Sequence, residues 1–340
     1  MNRILDLLLD GVDLAESDAR LLLSELTSED LSPAVAGAVL AALRLKGETA
    51  EEVRGFAMGL REKATDPDLG DVSDTVDVVG TGGDNSGSLN LSTGAAIVAA
   101  AAGQRVVKHG NRAVSSKSGS ADVLTAIGLE IPLSNGQARL CLEETGFTFL
   151  FAPHHHPAMR HVAPVRSALG TRTIFNLIGP LANPAGAPFA VIGAPSPEIA
   201  RTLAAALSGM PLRRAFVVHG ADGWDEPTPM GEYLLLDVSP GSVEASFEDP
   251  LDLGIDRCEA STLTGGDASS NAAALRRVLD GETGPHRDAL VLGASLALRV
   301  TGFEESLQRA VAKAGSAIDD GSALQVFEDL ATFSERNPNE

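Results

Sequence analysis

Residues 1 to about 68 carry apolar side chains at helical spacing and show no convincing strand. Ile4, Leu7, Leu8 and Leu9 make the apolar face of a first helix. Ser17 can cap a second, through Leu26, and Ser32-Pro33 opens a third through Leu45, because proline fits a first helical turn. Thr49-Ala-Glu-Glu52 is a capping-box pattern, in which hydroxyl and carboxylate each satisfy a free backbone N–H, and it predicts a fourth helix to about Lys63.

From Asp74 the period changes. Strands are expected at Val76–Val79, Arg105–Lys108, Phe147–Phe151, Ala190–Gly193, Ala215–His219 and Glu232–Asp237. Between them lie helical patterns such as Gly94–Ala102, Ser120–Gly128, Asn135–Thr145 and Glu198–Leu207. Such alternation predicts an α/β domain with a mostly parallel central sheet. The segment Pro164–Pro184 interrupts it with two helical stretches on either side of Gly170, expected to pack back on the N-terminal helices with a hinge near residues 160–190. The expected division is a small all-helical domain, 1–70, joined by the returning segment 164–186, and a large α/β domain made of 71–163 and 187–340. The polar tail Phe333–Glu340 is expected to fray.

Composition narrows the function classes. Of 340 residues, 44% are apolar, enough for a full core. One Trp, one Tyr and eleven Phe do not suit an aromatic platform for nucleic acid, and a net charge of −20 argues against a duplex or an anionic membrane as partner. Cys141 and Cys258 stand alone, so neither a disulfide framework nor a zinc site is expected. No run is long enough to span a membrane, and Met1–Asp10 does not resemble a signal peptide, so a soluble cytoplasmic protein is expected. The acids are unevenly placed: none occurs in the 37 residues Asn85–Ala121 or the 53 residues Thr145–Pro197. Those gaps hold Arg105, Lys108, Arg112, Lys117, Arg160, Arg166 and Arg172 with five of the seven histidines. Apolar segments often carry few charges, but this pattern points to local positive potential for an anionic ligand.

Candidate chemistry falls in the same places. Gly80-Thr-Gly-Gly-Asp84 links a strand to a helix, where backbone N–H groups can meet an anion. It is neither a P-loop nor a dinucleotide fingerprint, and a purely structural turn is the plainer reading. Asn90-Leu-Ser-Thr93 starts a helix, either as ordinary caps or as hydroxyl and N–H donors to a diphosphate. Lys108-His-Gly-Asn-Arg112 and the following Ala113–Ser120, with Ser120 as a helix cap, gather two Lys, one Arg and four Ser without an acid. Asp225-Glu226, just beyond a strand, suits Mg²⁺ if phosphate is bound nearby and is otherwise a solvated pair. His154-His155-His156 lacks a zinc ligand set; with Arg160, His161 and Arg166 it better suits a carboxylate substrate.

Taken together, these motifs resemble the anthranilate phosphoribosyltransferases along almost the whole chain. The resemblance rests on Ala42–Thr49, Gly80–Asp84, Asn90–Thr93, Lys108–Ser120, Phe151–Pro153, Arg160-His161, Pro164–Arg166, Phe175–Pro184, His219-Gly220, Asp225-Glu226, Gly265–Asp267 and Asn271-Ala272. It implies the nucleoside phosphorylase/phosphoribosyltransferase type of fold, usually a homodimer through the helical domain, and a role in tryptophan biosynthesis. It also implies transfer of the phosphoribosyl group of phosphoribosyl diphosphate (PRPP) to the amine of anthranilate, releasing diphosphate.

By the same resemblance Gly80, Gly83, Asp84, Ser88, Asn90, Leu91, Ser92, Thr93 and Ser120 would hold PRPP. So would the run Lys108, His109, Gly110, Asn111, Arg112, Ala113, Val114, Ser115 and Ser116. Ser92, Asp225 and Glu226 would hold Mg²⁺, as two ions. Gly80, Asn111 and Arg166 would contact anthranilate, with His109 and His156 along its route. Lys108 and Arg166 would carry catalysis, the first by dispersing charge on the leaving diphosphate. An oxocarbenium-like transition state fits this chemistry, and no general base is named. The chain departs from the family at Met159, where many relatives have Tyr, and at Pro227-Thr-Pro229, where a less rigid run is usual. Two other readings are a pyrimidine nucleoside phosphorylase-like enzyme, which the Lys108 loop and Asp225-Glu226 speak against, and a non-catalytic nucleic-acid-binding relative, which the charge speaks against.

Overall fold

The structure, a computed structural model, describes residues 1–84, 86–113 and 117–338. Four helices come first: α1 (Asn2–Leu9), α2 (Glu16–Leu26), α3 (Pro33–Lys46) and α4 (Ala50–Glu62). The capping box at Thr49 is present, and its acid does more than cap. Buried Glu52 accepts hydrogen bonds from the N–H groups of Leu14 and Thr49, both at 2.9 Å, and pairs with Lys46 Nζ at 3.0 Å. It therefore ties the α1–α2 and α3–α4 connections together. Two expectations need correction. Ala15, not Ser17, occupies the N-cap of α2, and Ser17 lies inside the first turn. Leu9 is 67% exposed, because one helical step of about 100° carries it away from the face of Ile4 and Leu8.

The alternating part follows as β1 (Val76–Gly80), α5 (Leu91–Ala101), β2 (Val106–Gly110), α6 (Ser120–Ile127), α7 (Asn135–Thr145), β3 (Phe147–Phe151) and the single turn α8 (Ala152–His155). The returning segment holds α9 (Ala163–Leu169) and α10 (Phe175–Ile178), which pack on α3 and α4 as expected. Then come β4 (Phe189–Gly193), α11 (Pro197–Ser208), β5 (Arg214–His219), β6 (Tyr233–Ser239) and β7 (Ser242–Glu248). Four helices close the chain: α12 (Ala268–Leu279), α13 (Pro285–Val300), α14 (Leu307–Asp319) and α15 (Ser322–Arg336).

The sheet has seven strands in the order β3-β2-β1-β4-β5-β6-β7; β1 to β5 are parallel, and β6 and β7 antiparallel. Strand alternation divides the apolar residues between two cores. Val76, Val78, Val191, Phe216, Val218 and Leu235 face a core built with α5, α13 and α15. Ile192, Val217, Leu234 and Leu236 face the other, which includes α1 to α4, the returning segment and α11.

The strand β7 has no counterpart in the sequence reading. Its Ser and Glu residues alternate with Val243, Ala245 and Phe247, and it lies exposed at the sheet edge, where burial leaves no apolar signal. The first residues of the tail, 333–336, are helical where fraying was expected. The last helix runs to Arg336, Phe333 is buried, and Ser334 Oγ accepts from Glu130 N at 2.9 Å.

Candidate active site

The chain leaves β1 toward β2 on one side and later places β4 on the other, so β1 marks a topological switch point, where α/β folds open a crevice at the carboxyl ends of their strands. A cleft of about 550 Å³ opens there. Gly80, Gly83, Asp84, Ser88, Asn90, Ser92, Thr93, Lys108, His109, Gly110, Asn111, Arg112, Ala113, Ser120, Asp225 and Glu226 all line it. Motifs separated by more than 140 residues therefore share one cavity.

The glycine turn is shaped around Asp225. Gly82 N donates to Asp225 Oδ2 at 2.7 Å, and Thr81 N to Gly193 O at 3.0 Å. A Cβ on Gly80 would lie 2.4 Å from Asp225 Oδ2, so only glycine admits that carboxylate. Asp84 turns its carboxylate to Ser86 N at 3.1 Å and toward Asp225 N at 3.5 Å. The second acid, Glu226, accepts from Ser92 N at 2.8 Å, in the positive first turn of α5. Pro227, Thr228 and Pro229 are buried behind the pair. A cavity of about 20 Å³ with mostly apolar walls, among them Leu91, Val191 and Val218, lies against both acids. Leu91 thus lines this cavity and not the cleft.

The electrostatics follow from that packing. Burial, then the Asp84 carboxylate, raises the pKa of Asp225; burial, then Asp225, raises that of Glu226. Three acids with one N–H donor apiece to the pair leave negative charge poorly compensated. Lys108 answers part of it. It is 1% exposed, and its ammonium donates to the Val78 carbonyl and, at 3.3 Å, to Ser92 Oγ. Burial lowers its pKa to about 8, against the opposing pull of Asp77, Glu226 and Asp225. Asp77 is itself buried and raised to about 6 by desolvation; it accepts from His109 N at 3.2 Å and Asn183 Nδ2 at 2.9 Å.

The other predicted residues fall around this centre. Asn90 sits at the start of α5 without capping it through its side chain. Its amide instead donates to Ser118 O at 3.1 Å and accepts from Asn271 Nδ2 at 2.8 Å. Ser120 begins α6 but is not its cap; Gly119 holds that place, and Asp122 accepts from Gly119 N at 3.0 Å and Ala113 N at 2.9 Å. Asp122 also pairs with Arg112 at 3.0 Å. Val114, Ser115 and Ser116 lie outside the described residues. The His109 and His156 rings meet edge to face at 5.2 Å, and burial lowers their pKa values to about 3 and about 4, so both are neutral near pH 7. His156 Nε2 bonds the Ala182 carbonyl at 3.0 Å.

Arg166 and His156 do not line the cleft itself. The Arg166 guanidinium lies 5.1 Å over the Phe175 ring, one residue from Asn176, which does line it. Lys117, from the donor-rich loop, and Asn176, from the Phe175–Pro184 motif, line it too, as does Arg172, which no motif singled out. Arg172 had one signal, its place in an acid-free stretch; the Asp77–Asn183 bond across 106 residues had none.

A divalent cation suits this donor set. Ser92, Asp225 and Glu226 converge with Asp84 on a site whose raised carboxylates would ionise fully beside added positive charge. Among the described residues no three His, Cys, Asp or Glu side chains form a ready metal cage. Mg²⁺ does not need one, since it takes one or two carboxylates and completes its shell with water and substrate phosphate.

Comparison with known proteins agrees along the chain. Residues 72–324 match the glycosyl transferase family a/b domain, and residues 2–64 the helical bundle domain of that family. An anthranilate phosphoribosyltransferase of Rhodopseudomonas palustris (strain BisB18) is 43% identical over 334 residues, 97% of each chain. The crystal structure of anthranilate phosphoribosyltransferase from Thermus thermophilus is similar with a TM-score of 0.89 and 40% identity, over 98% of this chain and 99% of that one. The Saccharomyces cerevisiae enzyme in complex with PRPP and Mg has a TM-score of 0.85 and 26% identity, over 95% of this chain and 94% of that one.

Proposed function

We propose that this chain, which belongs to the anthranilate phosphoribosyltransferase family, transfers the phosphoribosyl group of PRPP to the amine of anthranilate and releases diphosphate. The observation that carries this is the meeting, in one cleft, of the glycine turn, the Lys108 loop, the start of α5 and the Asp225-Glu226 pair. Backbone N–H groups of the turn and helix start suit phosphate oxygens, and the small residues around them admit a ribose closely.

In this reading Ser92, Asp225 and Glu226 hold Mg²⁺, as two ions, which when bound neutralise the charge of the diphosphate. Lys108, fixed behind Ser92, adds a positive charge beneath the same group. Arylamines are neutral nucleophiles, so attack on ribose C1 needs positioning more than proton removal, and no base is assigned. Arg166 orients anthranilate by its carboxylate, with Gly80 and Asn111 as further contacts. The neutral rings of His109 and His156 line the route without repelling or protonating an arylamine. Burial lowers the pKa of the Arg166 guanidinium, and it has no ion-pair partner among the described residues, so its charge is available to a carboxylate.

The helical part, 1–70 with 164–186, is read as the unit that carries the anthranilate side against the PRPP side on 71–163 and 187–340. Leu9, Leu21 and Leu45 are exposed on it, at 67%, 55% and 89%, and support a homodimer through these helices. No described helix is long and apolar enough to cross a membrane, and a biosynthetic activity on soluble substrates supports a cytoplasmic enzyme.

Anthranilate fluorescence tests the central claim. With micromolar enzyme the signal should fall only when PRPP and Mg²⁺ are both present. A signal that persists in the complete mixture would remove the assignment.

A further inference from the structure

Arg172 stands between α9 and α10 on the returning segment and reaches across the cleft to the glycine turn. Its Nη2 donates to Gly82 O at 3.0 Å and its Nη1 to Gly83 O at 3.4 Å. A Cβ on Gly83 would lie 2.9 Å from the guanidinium carbon, so the planar group lies directly against a bare Cα. Its backbone is held as well: Arg44 Nη1, in the last turn of α3, donates to Arg172 O at 2.5 Å. Among the described residues no carboxylate pairs with Arg172. A cation on two neutral carbonyl oxygens, with acids elsewhere in the cleft, is an arrangement that ion pairing does not explain.

Peptide geometry gives it a purpose. In a trans peptide the N–H of one residue points opposite to the C=O of the residue before it. Fixing the carbonyls of Gly82 and Gly83 on Arg172 therefore turns the N–H groups of Gly83 and Asp84 to the other side, where no acceptor among the described residues meets them. Gly82 and Gly83 both have positive φ, +66° and +79°, in glycine peptides that would otherwise sample many orientations.

We propose that Arg172 is a positioning residue for PRPP: it sets the direction of the Gly83 and Asp84 N–H donors by holding the carbonyls of Gly82 and Gly83. This rests on the functional reading above and deepens it. It gives the returning segment a part in holding the diphosphate substrate, besides its part in holding anthranilate. The two-toothed guanidinium matters, since its rigid planar fork sets two donors on two adjacent carbonyls in a fixed geometry that a flexible ammonium does not reproduce.

Steady-state kinetics of wild type, Arg172→Met and Arg172→Lys test it. Arg172→Met should raise KM for PRPP about tenfold, the equivalent of two lost hydrogen bonds, while KM for anthranilate changes less than about threefold. Arg172→Lys, which keeps the charge but not the rigid fork, should recover only part of the loss. The side chain is half-buried on the wall of the open cleft and makes no ion pair among the described residues, so all three proteins should melt within a few degrees of one another. An unchanged KM for PRPP in Arg172→Met overturns the proposal. Equal rises in both KM values overturn it by making the effect a general loosening, and full recovery in Arg172→Lys overturns it by making charge alone sufficient. A wild type that consumed no anthranilate would remove the parent reading and this proposal together, whereas an active wild type with an unaltered Arg172→Met removes this proposal alone.

Discussion

Glu52 in the helical region and Asp225 in the cleft are both buried carboxylates, and the chain surrounds them differently. Glu52 receives two backbone N–H groups and an ammonium within 3.0 Å. Asp225 receives one N–H at 2.7 Å and faces Asp84 and Glu226. The first has its hydrogen bonds filled and serves as a structural tie. The second is held in place with little compensation for its charge, and that shortage is what would suit it to a cation. Compensation, more than burial, separates the two roles.

Substitutions can break this contrast. Asp225→Asn keeps an acceptor for Gly82 N but removes a crowded charge; it should lower turnover by about a thousandfold, about 4 kcal/mol, with a melting temperature equal to or above wild type. A clear loss of thermal stability in that variant would place Asp225 with Glu52 instead. Glu52→Ala should do the reverse. It strands two backbone N–H groups and leaves the Lys46 ammonium only Asp13 and the Gly47 carbonyl, costing about 3 kcal/mol in urea unfolding, while the folded fraction keeps its turnover number.

The edge-to-face histidines His109 and His156 give a finer comparison, since they are buried and neutral. Both have folded pKa values, about 3 and about 4, below the ordinary 6.5, so the unfolded chain takes up their protons first as pH falls. Their contribution is intact above pH 6.5 and is lost as pH falls toward those folded values, at up to about 1.4 kcal/mol per pH unit for each ring. His156→Asn should flatten the stability profile between pH 6.5 and pH 4 relative to wild type. A profile of unchanged slope would mean that the ring is already charged in the folded state. The smallest effect belongs to the sheet edge. Phe247 is 71% exposed, so Phe247→Ser should move unfolding by no more than about 0.5 kcal/mol and leave activity alone.

Much of this layout can be read from the chain alone, and the exceptions have physical causes. The buried strands β1 to β6 declare themselves as short apolar runs between glycine-rich turns, whereas β7 gains its order from pairing with β6 and buries little. The helix α13 is apolar on nearly every side because it is enclosed by neighbours, so it shows no amphipathic stripe. In the site, the phosphate-type motifs are local in sequence and stand out by composition. The contacts that aim them are not local: Arg172 on the glycine turn, Asn183 on Asp77 and Asn271 on Asn90 each join ordinary residues far apart in the chain. Asp84 likewise takes its orientation in part from a distant residue, its carboxylate turning toward Asp225 N at 3.5 Å.

One more consequence lies in the core that runs from the first four helices through α11 onto one face of the sheet. Helix α4 packs on α11, and α11 lies on β5 and β6, so the N-terminal helices complete a hydrophobic layer that the rest of the chain begins. The two parts should melt in a single cooperative transition, and a fragment ending after α4 would expose the apolar surface that α10 and α11 now cover. For an enzyme that must bring two substrates together across a cleft, this means that neither wall can be lost while the other stays folded.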